Sequence, residues 1–259
     1  MIEISALLLA AGVGVRLKPL TEHWPKCLMP VSSRPLLEHW LCTLYQHNIQ
    51  EVLVNVHHHR QAVDEFLARQ RFKGWVSSVY EHELLGTAGT LLETWRKYEQ
   101  RTMLLIHADN WCQCDFSEFL NFHMHRRPEN TVMTMMTFRT ETPETCGIVE
   151  LDDAGIVHEI YEKVSDSPGN LANGAVYLLE SEVLKWLMSN PSKKDFSTEV
   201  LPEFMGRIAT WENLGIHRDI GTISSLVAAQ LDSVPHLCWE EFDDWQHGFM
   251  SNPIHGMLS

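Results

Sequence analysis

Leu7-Leu-Leu-Ala-Ala-Gly-Val-Gly-Val-Arg-Leu-Lys-Pro-Leu-Thr21, followed by Pro25-Lys-Cys-Leu-Met-Pro-Val31, decides how this chain is read. An apolar run stops at a small, glycine-bearing turn, as a buried strand does where it delivers a ligand to backbone N–H groups. Gly12 and Gly14 stand where the backbone must approach a ligand closely. Arg16 offers a fork of donors to phosphate oxygens. Lys26, held between Pro25 and a short apolar stretch, adds a second fixed cation. The loop follows neither common glycine pattern. A dinucleotide fingerprint needs G-x-G-x-x-G, and here the third glycine position is Leu17. A Walker loop ends in Gly-Lys-Ser/Thr, and no such step occurs. An isolated glycine pair would be read as a tight turn. The composite G-x-G-x-R-L-x-P-L-T…P-K-x-L-x-P-V points instead to phosphate binding.

Outward from the loop, residues 2–9 are the continuous apolar run expected of a central parallel strand. Residues 35–47 have helical spacing, with Leu36, Leu37, Trp40, Leu41 and Leu44 on one side. Strands are then predicted at 51–56, 75–80 and 103–107, and helices at 61–69, 87–98 and 116–125. This is the βαβ rhythm of a doubly wound sheet, whose ligands sit beyond the carboxyl ends of the strands. The first loop and Asp109 both lie at such ends. After Thr131 the rhythm changes to strands at 131–138, 147–151, 156–161 and 174–179, with a hairpin turn at Asp152-Asp-Ala-Gly155. Helices return at 181–188, 197–205 and 222–231. Met133, Met135 and Met136 read as strand core with one residue outward. The expected fold class is α/β: a doubly wound, Rossmann-like mixed and mainly parallel sheet with a β-rich second half.

The 259 residues are 44% hydrophobic and 21% charged, ordinary for a globular protein, and the formal charge is −14. Surfaces that coat nucleic acid are basic, so that class is excluded, while a nucleotide held by a few local cations is not. No apolar run approaches a bilayer span, and the N-terminus lacks the basic and small-residue signals of a secretory leader. The six cysteines are scattered, and Cys112-x-Cys114 has no second pair at zinc spacing. Reduced thiols in a cytoplasmic protein are the expectation. His57-His-His59 follows the second strand, where consecutive side chains alternate in direction, so a structural role is expected for it. Trp239-Glu-Glu-Phe-Asp-Asp-Trp245 concentrates acid near the C-terminus and is unsuited to phosphate.

The loop composite resembles the nucleotidyltransferase family that makes NDP-sugars from a nucleoside triphosphate and a sugar 1-phosphate. The likeness runs from about residue 2 to residue 230. It implies the nucleotidyltransferase fold over 1–231, with a nucleotide half over about 1–130 and a sugar half over about 131–231, then a tail at 232–259 and no β-helix domain. It implies that Leu9, Ala11, Gly12, Gly14, Val15, Arg16 and Lys26 bind the nucleotide. Leu85-Gly-Thr-Ala-Gly-Thr90 resembles the family's base-reading segment, adding Gly86, Thr87 and Gly89; read alone it is a helix start with Thr87 as N-cap. Asp109, in Ile106-His-Ala-Asp-Asn110, resembles the family's metal-binding G-D position, with Ala108 in place of glycine. Asp219, in Asp219-Ile-Gly-Thr222, resembles its second metal ligand, with Thr222 starting the last helix. Two hard oxygen ligands plus phosphate oxygens suit Mg²⁺, the implied cofactor. On the sugar side Asn110, Gly147, Glu162, Lys163 and Asn173 are implied, with Val164 where the family carries proline and Val15 where many members carry Thr.

The activity implied is in-line attack of a sugar 1-phosphate oxygen on the α-phosphate of an NTP, releasing pyrophosphate. Arg16, Lys26, Asp109 and Lys163 form the catalytic set. The pattern is closest to compact bacterial guanylyltransferases, which favours GTP with mannose 1-phosphate or a manno-heptose 1-phosphate. A uridylyl- or thymidylyltransferase for a glucose-type sugar, or a weakly catalytic nucleotide-sugar-binding regulator, is the alternative. The expected partners are these small molecules, with no nucleic acid or membrane and with a homo-oligomer possible. A nicotinamide-dependent oxidoreductase has only the βαβ rhythm behind it.

Overall fold

Residues 4 to 9 are apolar except for the buried Ser5, with side chains for both faces of a sheet, and in the computed structural model they form its strand β1 (Ile4–Leu9). The structure describes residues 4–96, 102–234, 238–239 and 242–258. The start of the first predicted strand, the end of the predicted 87–98 helix, and Glu240 and Glu241 of the acidic patch lie outside the described residues.

Along the chain, β1 is followed by the two-residue strands β2 (Pro30–Val31) and β3 (Arg34–Pro35), helix α1 (Leu36–Gln46), β4 (Val52–Val56), α2 (Arg60–Leu67), β5 (Val76–Tyr80) and α3 (Gly86–Trp95). Next come β6 (Thr102–His107), β7 (Asn110–Gln113), α4 (Phe116–His125), β8 (Met133–Arg139), β9 (Gly147–Leu151), β10 (Val157–Glu162) and β11 (Leu171–Leu179). The chain ends with α5 (Ser181–Ser189), β12 (Ile208–Glu212), β13 (Ile216–Asp219), α6 (Ile223–Ala229) and α7 (Asp244–Met250). The expected α/β class with a mixed sheet is what is found. No helix among the described residues is long and apolar enough to cross a membrane.

Two compact units form from interleaved segments: residues 1–7, 85–106 and 114–215 make one, and residues 8–84, 107–113 and 216–259 the other. In the first, the strand order is β10-β9-β11-β6-β1, with β8 pairing β11 and β12 pairing β8. The long strand β11 runs antiparallel to both β6 and β8, and a bulge at Ala175, φ 53, interrupts its β8 register between Asn173 and Tyr177. The β9–β10 hairpin closes through the expected turn. Asp152 Oδ1 accepts from the Ala154 and Ile156 amides at 2.9 Å each, and Gly155 supplies φ 76.

In the second unit the order is β1-β4-β5, and β4 and β5 are parallel, joined by a crossover through α2. β7 and β13 form a separate antiparallel ribbon that sets Asp219 opposite Asn110. The C-terminal segment packs on this unit. Trp245 meets Phe66 edge-on with ring centres 5.0 Å apart, and Asp243 accepts from Arg69 and Arg71. Those arginines, with Arg34, surround the fully buried Glu38. A buried carboxylate is tolerable only when its lone pairs are filled in this way.

Three expectations fail on physical grounds. The 197–205 helix is instead a π turn, Phe196–Val200, and a 3-10 turn, Leu201–Phe204; Pro202 supplies no N–H and blocks a regular helix. Met133, Met135 and Met136 are all fully buried, because β8 is covered on both faces. Thr87 is not an N-cap: α3 starts one residue earlier, after Leu85, without a side-chain cap. Thr222 does cap α6, sharing a capping box with Ser225.

Candidate active site

The chain leaves β1 at Ala10, where the amides of Ala10 and Ala11 donate to Asn55 Oδ1 at 2.6 and 3.2 Å. The amides of Gly12, Val13 and Gly14 meet no acceptor among the described residues. Gly14 turns the chain with φ 66, and a Cβ there would come within 2.8 Å of Thr21 Cγ2. Thr21 in turn donates its hydroxyl to Gly14 O at 2.8 Å. A glycine is therefore required at 14 by both backbone and space. At Gly12 a Cβ would meet nothing within 4 Å. That glycine leaves open space beside three consecutive unengaged N–H groups, the arrangement that holds anions. Val15 begins a 3-10 turn with an exposed side chain, and nothing in the structure gives it a role.

That turn and the next carry the two cations. Arg16, largely exposed, reaches Asp219 Oδ2 at 3.0 Å. Lys26 is only 6% exposed, and its Nζ bridges Asp109 Oδ2 at 2.7 Å and Asp219 Oδ1 at 3.2 Å. The β7–β13 ribbon explains the meeting of two carboxylates so distant in sequence. Asp109 precedes Asn110 in β7, and Asn110 is paired with Asp219 in β13. Gly221 completes the geometry, since a Cβ there would come 2.5 Å from the Arg16 guanidinium and 2.8 Å from Asp219 Oδ2. Ala108, which replaces the family's glycine, has no positive φ and fits without a glycine's freedom.

The protein packed around Asp109 raises its carboxyl, but the Lys26 ammonium, His107 and the hydrogen bond from Lys26 together pull it below the ordinary value. Asp109 is thus held as a carboxylate, 39% exposed, beside Asp219, 47% exposed. Two partly open carboxylates that share one cation are a hard-oxygen donor pair, and they fit a divalent ion that takes its remaining ligands from phosphate and water. Leu9 ends β1, where its carbonyl accepts from Ala108 N, and Asn110 is buried with its carbonyl accepting from Trp40 Nε1.

In the other unit, Gly86 opens α3 with φ 78, and a Cβ there would overlap the Lys194 carbonyl oxygen. The Ala88 amide donates to that same oxygen at 2.9 Å, and the Phe196 amide donates to Thr87 Oγ1 at 2.7 Å. Gly89 lies against Leu85 Cβ at 3.1 Å. The L-G-T-A-G sequence therefore docks on residues 194–196, and an acceptor site of the Thr87 hydroxyl is committed to that docking.

The four remaining residues form a second group there. Gly147 and Glu162 are paired across β9 and β10, and a Cβ on Gly147 would come 2.7 Å from Glu162 Oε1. Burial pushes the Glu162 carboxyl up, the Lys163 ammonium opposes this, and Asp195 adds to it; the net direction is up. Asn173 Oδ1 accepts from the Ala175 amide and the Tyr177 hydroxyl, both at 2.9 Å, which aims its amide nitrogen away from both. Lys163 has φ 52, and its ammonium meets no acceptor among the described residues. A proline at 164 would drive Lys163 into extended backbone, so Val164 and this left-handed conformation belong together.

The adjacent histidines are not gathered as ligands. His57 Nδ1 bonds Glu81 O, while the His58 and His59 rings both approach Thr21 O. Asn55 and Glu81 are the residues that sequence reading missed, and Gly221 was seen only as part of Asp219-Ile-Gly-Thr222, without a role. A lone asparagine in a strand carries no motif.

The nucleotidyl transferase family model matches residues 5–234, and the chain belongs to that family. Among its relatives is the mannose-1-phosphate guanylyltransferase catalytic subunit beta of Drosophila melanogaster. The two are 27% identical over 238 residues, which take in 87% of this chain and 63% of the fly protein. The chain thus spans about three-fifths of the length of the curated relatives it matches. Two solved structures share the fold. One is a Bacillus anthracis protein assigned as a glucose-1-phosphate thymidylyltransferase, with TM-score 0.76, 23% identity, and coverage of 88% of this chain and 94% of that one. The other is HddC from Yersinia pseudotuberculosis complexed with GMP-PN, with TM-score 0.74, 21% identity, and coverage of 89% and 99%.

Proposed function

We propose that this chain transfers a nucleotidyl group from an NTP to a sugar 1-phosphate, giving an NDP-sugar and pyrophosphate. The observation that carries this reading is the Lys26 ammonium bridging Asp109 and Asp219, with Arg16 on the far side of Asp219. Such a set stabilises charge on phosphates and contains no nucleophile, and none is needed, because a sugar phosphate oxygen is itself the attacking group. The amides of Gly12 to Gly14 cradle the triphosphate. Arg16 and Lys26 neutralise charge that builds on the departing pyrophosphate. Asp109 and Asp219 are the residues that would hold Mg²⁺, which when bound would neutralise and polarise the phosphates. Glu162 accepts from sugar hydroxyls, Asn173 donates to them, and Lys163 holds the sugar's phosphate.

GTP and a mannose-type sugar 1-phosphate are the favoured pair, supported by the naming of the fly relative as a mannose-1-phosphate guanylyltransferase. The reading is tested by pyrophosphate release from GTP with mannose 1-phosphate and Mg²⁺. Wild-type protein is expected to turn over and Asp109→Asn to lose about a hundredfold or more. Equal rates in the two would remove Asp109 from the mechanism.

A further inference from the structure

We propose that Asn55 is the positioning residue of the phosphate loop, oriented by Glu81; this rests on the reading of that loop as the triphosphate cradle. Two successive amides, Ala10 and Ala11, converge on one oxygen, Asn55 Oδ1. Successive N–H groups aimed at one point form a small anion nest, and here a neutral side chain fills it. The next amides along the chain, Gly12 to Gly14, do not bond Asn55 and have no acceptor among the described residues. Asn55 thus fixes where the free part of the loop begins.

Its own orientation is not arbitrary. Asn55 Nδ2 donates to Glu81 Oε1 at 3.0 Å, and both residues are 4% exposed. A carboxylate accepts only, so the amide must turn its NH₂ toward Glu81 and its oxygen toward the loop. Glu81 is itself anchored through its main chain: its amide donates to Val56 O at 2.9 Å and its carbonyl meets His57 Nδ1 at 2.9 Å. The order of control runs from Glu81 to the Asn55 amide and from there to the loop amides. A glutamine at 81 would break it without changing shape, because it offers both a donor and an acceptor and lets the Asn55 amide take either orientation.

The test measures GTP affinity by calorimetry and pyrophosphate release for wild type, Asn55→Ala, Glu81→Gln and the double variant, with Tm recorded for each. Asn55→Ala is expected to weaken GTP binding about tenfold and to raise KM for the NTP while leaving KM for the sugar phosphate unchanged. Glu81→Gln, isosteric and folded, is expected to weaken GTP binding less, and to add nothing in the Asn55→Ala background. A purely structural pair would lower Tm with wild-type GTP affinity in the folded protein, and that result overturns the inference, as does additivity in the double variant. If wild-type protein binds GTP but releases no pyrophosphate with any sugar phosphate, the proposed function fails and the affinity ratios still decide the role of Asn55. If it binds no NTP at all, both fail.

Discussion

Lys26→Met keeps the length of the side chain and removes the charge that joins the two aspartates. Each charge-assisted hydrogen bond from Nζ would contribute about 1.5 to 3 kcal/mol if fully buried. The carboxylates are 39% and 47% exposed, so water replaces much of the lost interaction. The expected net loss of stability is therefore roughly 1 to 2 kcal/mol. For a chain of this size that corresponds to a drop in Tm of about 2 to 8 °C. The pH dependence carries the more specific signature. In wild type the Asp109 carboxyl lies below its ordinary value. The stability it contributes is present above the unfolded value of about 4 and is lost as pH falls through the lower folded value. In the variant both influences of Lys26 are gone, only His107 and a backbone hydrogen bond still oppose the raising influence of burial, and the carboxyl is expected to move up. Its contribution then reverses: stability is highest at low pH and falls as pH rises through the raised value. The gap in Tm between wild type and Lys26→Met should be widest at pH 7 and narrow toward pH 4, as followed by scanning calorimetry. In parallel, kcat for pyrophosphate release should fall about a hundred- to a thousandfold. A gap that does not change with pH, or turnover within about threefold of wild type, would refute the assignment of Lys26 as the charge at the centre of the site.

Gly14→Ala should lower stability by roughly 1 to 3 kcal/mol, because φ 66 and the 2.8 Å approach to Thr21 both oppose a side chain; Gly12→Ala, whose Cβ meets nothing within 4 Å, should leave Tm close to wild type in the same thermal scan. Gly86→Ala should be more damaging than Gly89→Ala in urea titration, since the first overlaps a backbone oxygen at positive φ and the second meets only the Leu85 side chain at 3.1 Å. Gly147→Ala pushes on Glu162 Oε1 and should raise KM for the sugar phosphate several-fold with little change in KM for the NTP, as read from initial rates with each substrate varied.

The long, strongly periodic elements were legible from sequence. The 116–125 helix and the 147–151 strand match their predicted bounds, because apolar spacing marks both and Asp115 caps the helix. β7 and β13 were not legible. Each is four residues long, and β13, Ile216–Asp219, is polar and partly exposed, so no alternation marks it. Yet this ribbon sets Asp109 beside Asp219, so the motif named the carboxylates without showing what joins them. Asn55 and Glu81 were illegible for a related reason: their roles rest on which backbone amides lie beside them. The C-terminal acid was read as an appendage, whereas Asp243 supplies an acceptor for Arg69 and Arg71 beside the buried Glu38, a balance of charge that only packing reveals. Val164 shows the converse, since a departure from the family pattern becomes intelligible once Lys163 is seen at φ 52.

The central claim is that an α-phosphoryl-linked nucleotide moves onto a sugar phosphate. Four NTPs, each labelled at the α-phosphorus, can be incubated with wild-type protein, Mg²⁺ and mannose 1-phosphate, manno-heptose 1-phosphate or glucose 1-phosphate, and the products separated. The account predicts label in an NDP-sugar with unlabelled pyrophosphate released, most rapidly for GTP with a mannose-type sugar. Label that stays in the NTP, or passes only to free nucleotide, with every sugar phosphate would contradict it.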